Sequence, residues 1–127
     1  MPFIRVTLNV VPDEAAATAL TDGITRLMAD ILRKNPDLTS VLVESVPGQR
    51  WTIGGRPVPS TARVEAIVTE GTNSPQEKSA FIAAAMDLLR GVLPGVSEVS
   101  YITVMEIPAE DWGYGGKTQA ARKIEAR

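Results

Sequence analysis

The second residue of the chain is a proline, and the strand it heads, PFIRVTLNV, is otherwise an ordinary alternating run. Proline donates no ladder hydrogen bond, so a strand start is one of the few places where a sheet tolerates it. If Met1 is removed, the same residue becomes a secondary amine fixed at a strand end. An α-amino group titrates near ~8, and burial or a neighbouring cation disfavours its charged form. A neutral amine is then available as a general base around pH 7. Strand start and amine base are both open readings of Pro2 at this point.

The rest of the composition narrows the chemistry. The 127 residues include no cysteine and no histidine, which removes disulfides, thiol nucleophiles, Ser-His-Asp machinery and the usual zinc and haem ligands. Carboxylates could still hold magnesium, but no spaced acidic cluster is present, and neither a metal nor a cofactor is expected. The formal charge of −2 comes from interspersed signs, without the basic stripe that nucleic acid or an anionic membrane would require. The first residues lack a basic segment followed by an apolar one, and no apolar run is long enough to span a bilayer. The expectation is a soluble cytoplasmic protein with small partners.

An internal repeat organises the chain. Trp51-Thr52-Ile53-Gly54-Gly55 returns as Trp112-Gly113-Tyr114-Gly115-Gly116, 61 positions on. At the same shift, Leu20, Ile24, Leu27 and Ile31 correspond to Phe81, Ala85, Leu88 and Val92, each set spaced as the apolar stripe of an amphipathic helix. Glu44 and Glu106, near the ends of SVLVESV and YITVMEI, match at a shift of 62. Each half therefore reads strand, helix, strand, then a Gly-Gly segment. Ile4, Val6, Leu8 and Val10 alternate with Phe3, Arg5, Thr7 and Asn9, and Val64, Ala66 and Val68 alternate with Arg63, Glu65 and Ile67, the pattern of strands with one face under helices. Ser74, Pro75 and Glu77 open the second helix as a capping box; Lys34-Asn35-Pro36 and Leu93-Pro94-Gly95 stop the two helices.

The expected architecture is one α/β (α+β) domain over residues 1–127, made of tandem βαβ halves (1–56 and 62–127) around the breaker-rich connector GGRPVPST. A four-stranded sheet carries two helices on one face. The bare face, with Phe3 and Ile67 among polar side chains, is expected to meet other subunits in a closed ring.

These residues resemble the tautomerase superfamily. PFIRVTL, LTSVLV and WTIGG look like one subunit of a 4-oxalocrotonate tautomerase, and ARVEAIVTEG, YITVMEI and WGYGG look like a second joined behind it. The two-unit plan is also similar to macrophage migration inhibitory factor. The resemblance implies that fold, a homotrimer, and an N-terminal proline acting as base for keto-enol proton transfer. It departs at the arginines. Where 4-oxalocrotonate tautomerases carry carboxylate-gripping arginines this chain has Thr72, with Pro12 in the other half, and Leu42; VTEGTNSP lacks the pair found in related dehalogenases and decarboxylases. The migration-inhibitory-factor pattern persists further: its substrate-binding lysine matches Lys34, its third-strand isoleucine Ile67 and its fourth-strand tyrosine Tyr101. Thr103 replaces its asparagine, and its Cys-x-x-Cys segment is absent.

The resulting expectation is a cofactor-independent tautomerase acting on a small carboxylate-bearing enol or 2-oxo acid. Pro2 moves the proton, Lys34 pairs with the carboxylate, Ile67 and Thr103 contact substrate, and Tyr101 with Trp112 or Trp51 shapes the pocket. Other readings stand beside it. Lys34 also fits a solvated lysine at a helix C-terminus, and Tyr101 an interface aromatic; Arg5, Arg50 or Arg63 are candidates to replace a lost arginine. A hydratase or decarboxylase on the same fold is one alternative. A trimeric binding protein with a vestigial proline is another, and it is the reading that a retained Met1 would favour.

Overall fold

The computed structural model describes residues 2–126, and Met1, whose removal the amine reading requires, lies outside them. In chain order the elements are β1 (Phe3–Leu8), α1 (Glu14–Asp30), β2 (Ser40–Ser45) and a hairpin of β3 (Thr52–Ile53) and β4 (Arg56–Pro57). The second half runs β5 (Ala62–Thr69), α2 (Pro75–Val92), β6 (Tyr101–Ile107) and a hairpin of β7 (Gly113–Tyr114) and β8 (Lys117–Thr118). A short helix, α3 (Gln119–Glu125), follows and has no counterpart in the first half.

The four long strands form one sheet in the order β2-β1-β5-β6, parallel within each half and antiparallel where the halves meet. Phe3 lies opposite Ile67 and Leu8 opposite Ala62, so an approximate two-fold axis passes between β1 and β5. Pro2 and the start of β5 are consequently at opposite ends of the sheet.

The strand alternation sets the layers. Ile4, Val6, Leu8, Val64, Ala66 and Val68 are fully buried under the helices. The helical stripe is wider than the spacing predicts: α1 buries Leu20, Ile24 and Met28, and α2 buries Phe81, Ala85, Met86 and Leu89, whereas Leu27, Ile31, Leu88 and Val92 are only partly buried at the core's rim. The cause is that each helix touches both the sheet and its neighbour helix. Gly23 of α1 faces Leu88 of α2 so closely that a Cβ there would lie 2.7 Å from the leucine's Cδ1.

The ends of the elements follow local chemistry. Asp13 caps α1 by accepting from the Ala16 N–H at 2.7 Å. The Ser74–Glu77 capping box of α2 forms in both directions, at 3.1 and 2.8 Å. Helix α1 ends at Asp30, earlier than Lys34-Asn35-Pro36 predicts; Arg33 turns into the left-handed region at φ 59, and Asn35 instead caps a 3-10 turn at Pro36–Leu38. The Gly54-Gly55 and Gly115-Gly116 pairs have positive φ at both residues, as two-residue hairpin turns of type I′ require.

One correspondence of the repeat is corrected. Ser40 pairs with Phe3 and Tyr101 with Arg63, so the structural counterpart of Glu44 is Met105, not Glu106. A slip of one residue reverses the face a strand side chain occupies. Glu44 lies on the open face beside Arg5, while Glu106 meets Lys78 of α2.

Candidate active site

Pro2 is buried just before β1, and its carbonyl accepts from the Ser40 N–H at 3.2 Å, so the start of β2 is pinned beside it. Around it lies a cavity of about 310 Å³ walled by Phe3, Leu38 and Ser40 from the first half and by Trp112, Gly113 and Tyr114 from the second. The hairpin of one half thus closes over the first strand of the other. Trp112 is oriented by its indole N–H, which donates to Thr69 Oγ1 at 3.2 Å. Tyr114 is held from behind by Arg122, whose guanidinium carbon lies 3.7 Å from the ring centroid and whose Nη2 donates to the Tyr114 carbonyl at 2.9 Å.

Lys34 stands behind this wall and is not among the residues lining it. Its Nζ donates to Thr72 Oγ1 at 2.8 Å, and Thr72 donates onward to the Thr69 carbonyl at 2.6 Å. Lys34 and Trp112 are thus both anchored at the end of β5, Lys34 through Thr72 to the Thr69 carbonyl and Trp112 on the Thr69 hydroxyl. Burial holds the Lys34 ammonium below its ordinary value, while the carboxylates of Glu77 and Glu106 raise it in part. Lys34 stands just past the C-terminus of α1, whose own last turn holds no basic residue. Lys34 is positioned by the Arg33 turn and by its own N–H, which donates to the Met28 carbonyl at 3.0 Å.

Tyr101 and Thr103 do not join Pro2 within one chain. They line a second cavity of about 630 Å³, with Trp51, Ala62, Arg63 and Val99 among its walls, at the other end of the sheet. Tyr101 pairs with Arg63, which lies opposite Thr7; five residues along β1 at ~3.3 Å each separate that row from Pro2 by roughly 17 Å. This cavity is the pseudo-two-fold equivalent of the first, with Ala62 in the place of Pro2 and Trp51 in the place of Trp112. Ile67 neighbours Phe3 across the sheet, on the open face.

None of the three arginines singled out from the sequence enters the Pro2 cavity. Arg5 pairs with Glu44 at 2.7 Å and Arg63 with Glu65 at 2.8 Å, both on the open sheet face, and Arg50 lies beside the first hairpin with Trp51. The arginine that touches a wall residue of this cavity is Arg122, on Tyr114, and these are the two residues that sequence reasoning missed. Thr118 followed by QAARKIE is a capped run of helix formers and was the available signal for α3. Among the described residues no cluster of acidic groups is arranged to hold a metal ion, and no helix is long and apolar enough to cross a membrane.

Comparison with known proteins accords with this geometry. The family model "Tautomerase enzyme" matches residues 2–60, ending at the seam between the halves. Over 60 residues the chain is 40% identical to the probable tautomerase K2 of Dickeya dadantii (strain 3937), a match spanning 46% of this chain and 88% of that protein. The solved structure of the R7 fused 4-OT wild-type asymmetric trimer superposes with a TM-score of 0.82 at 27% identity, covering 95% of this chain and 98% of that one. A macrophage migration inhibitory factor-like protein from Entamoeba histolytica shares the fold, with a TM-score of 0.78 at 16% identity over 92% of this chain and 97% of its own. By sequence in the first half and by fold through both, the chain belongs to the tautomerase family.

Proposed function

We propose that the chain catalyses keto-enol proton transfer on a small enol or 2-oxo acid, with Pro2 as the base once Met1 is removed. The observation that carries the reading is the placement of Pro2, buried in a cavity whose described lining contains no carboxylate. Desolvation disfavours the ammonium form of an amine, so the freed proline nitrogen is neutral in the range where base catalysis is efficient. The nitrogen takes a proton from the hydroxyl of the enol or from the carbon next to the keto group, and returns it at the other position. Ser40, which carries a hydroxyl, lines the same cavity and is suited to stabilise the enolate oxygen as charge develops.

Tyr101 and Thr103 join this site across a subunit boundary. The open face of the sheet carries Phe3, Leu42, Tyr101 and Met105 exposed, and a ring of three subunits covers it. Such a ring sets the Tyr101 end of one chain against the Pro2 end of the next. Lys34, held by Thr72 outside the lining of the Pro2 cavity, is the cation assigned to the substrate carboxylate, and neither cofactor nor metal takes part.

The test is ketonisation of phenylenolpyruvate by protein whose N-terminus is defined by mass spectrometry. Protein beginning at Pro2 should be active, and Pro2→Ala should lose about 10²–10⁴ of the rate, the range of general acid–base contributions. A Pro2→Ala protein of undiminished activity, or equal activity with Met1 retained, would overturn the assignment and favour the binding-protein reading.

A further inference from the structure

Helix α3 is the element that the repeat does not account for, and it is built onto the hairpin that covers Pro2. The Gln119 N–H donates to the Trp112 carbonyl and the Ala120 N–H to the Ala109 carbonyl, each at 2.9 Å. Thr118 caps the helix through the Ala121 N–H at 3.0 Å, and Lys117 bridges to Glu125 at 2.7 Å. From this helix Arg122 grips Tyr114 twice, by the ring face and by the carbonyl. The grip constrains its neighbours: a Cβ on Gly115 would lie 2.7 Å from Arg122 Nη2. Arg122 Nε is buried without an acceptor among the described residues, a cost in free energy that the stacking must offset.

The other half provides an internal comparison. Its hairpin has Ile53 where Tyr114 stands, Thr61 falls at the position of Arg122, and β5 follows in the place of α3. The cavity beneath that hairpin has Ala62 in place of Pro2 and about 630 Å³ of space, against about 310 Å³ at Pro2. Clamp and proline occur together in one half and are absent together from the other.

We infer that Arg122 is a positioning residue that fixes Tyr114 as a rigid aromatic wall of the Pro2 cavity, selecting enol and 2-oxo acids that carry a flat aryl group over aliphatic ones. The inference rests on the Pro2 site as the substrate site. An immobile ring face offers a planar group a stacking surface without the entropy of ordering a loop, and offset stacking rewards a planar partner beyond its buried area. A free hairpin with Ile53 in that position presents no such face.

The experiment measures binding apart from turnover. In a Pro2→Ala, Trp51→Phe background the fluorescence of Trp112 reports ligand entry, with phenylpyruvate and pyruvate as probes. Arg122→Ala should weaken phenylpyruvate about tenfold, within the range of a partly desolvated cation–π contact, and leave pyruvate within about twofold. Arg122→Lys, which keeps the charge and loses the planar fork, should recover only part of the loss. In a Tyr114→Ala background Arg122→Ala should have no further effect, because the two residues act as one unit. Arg122→Met keeps the stem and serves if the alanine variant folds poorly by circular dichroism. Equal weakening of both probes, full recovery by lysine, or additive losses with Tyr114→Ala would overturn the inference. With Pro2 intact, the same substitution should raise KM for phenylenolpyruvate while kcat holds within about twofold. An active Pro2→Ala protein would remove the base assignment and leave the binding cycle to decide Arg122 on its own.

Discussion

In the proposed role Pro2 is an N-terminal amine, and its burial in the cavity lined by Phe3, Leu38 and Trp112 disfavours the ammonium form of such an amine. The activity should therefore rise with pH to a plateau whose midpoint lies below the ~8 of a free α-amino group, and a pH–rate profile of kcat/KM checks it. Lys34 is the second residue whose charge matters. Its hydrogen bond to Thr72 leaves further donors for an anion, and a charge-assisted bond is worth ~1.5–3 kcal/mol. Lys34→Ala should accordingly lower kcat/KM for a carboxylated enol by roughly ten- to a hundred-fold and for its ester much less; equal losses on both would remove the carboxylate role. Stability should respond in the opposite sense. Because the folded value of Lys34 lies below its ordinary 10.5, the unfolded chain holds the proton more tightly between the two, and stability rises with pH through that alkaline window. Lys34→Met should flatten this rise without weakening the protein at pH 7, as urea titrations at neutral and alkaline pH would record. Lys34 was legible in the sequence as a cation after the first helix, but its bond to Thr72 was not, since Thr72 comes from the other half.

At the scale of elements, helix α2 depends on its first turn. The Ser74 N–H holds the Glu77 carboxyl below the usual carboxylate range, with smaller contributions from Asn73 and Arg33. That stabilisation is present above about pH 4.5 and is lost as the pH falls through the lower folded value of Glu77. Ser74→Ala should cost ~0.5–2 kcal/mol at neutral pH, and Glu77→Gln should make acid unfolding less steep; thermal melts at pH 7 and pH 3 separate the two effects. The helix glycines give an opposed pair. Gly91 has open space around it, so Gly91→Ala should stabilise α2 by up to ~1 kcal/mol through helix propensity. Gly23→Ala carries the same propensity gain but drives a methyl into Leu88, and overpacking costs ~1–3 kcal/mol, so a lower melting temperature is expected. The capping box was readable because its partners lie within four residues. The close approach at Gly23 was not, because nothing near it in sequence records which residue of α2 will face it.

For the whole molecule, the proposed assembly turns on the open sheet face. Its central rows are ion-paired, Arg5 with Glu44 and Arg63 with Glu65, while Phe3, Leu42, Tyr101 and Met105 around them are exposed. An apolar rim around satisfied charges suits contact with copies of the same chain, and the proposed trimer follows. Light scattering at micromolar concentration should give three subunits, and Leu42→Glu should shift the population toward monomer with loss of activity in step, since Tyr101 would no longer reach Pro2. A monomeric wild-type protein with full activity would sink both the ring and the shared site.

The sequence by itself determined the parts whose causes are local. Alternation specified which side of β1 and β5 is core, Ser74-Pro75-Glu77 specified where α2 begins, the paired Gly-Gly segments specified two tight turns, and Pro2 specified the candidate base. Only the tertiary structure decided which parts meet. The antiparallel pairing of β1 with β5 set Pro2 and Tyr101 at opposite ends of one sheet, and the crossing of the hairpins gave Trp112 to Pro2 and Trp51 to Ala62. It also placed Arg122 on Tyr114. The physical reason is that periodicity and capping act over a few residues, whereas strand direction, register and hairpin docking are set by burying surfaces distant in sequence, and a one-residue difference in register is enough to separate Glu44 from Glu106.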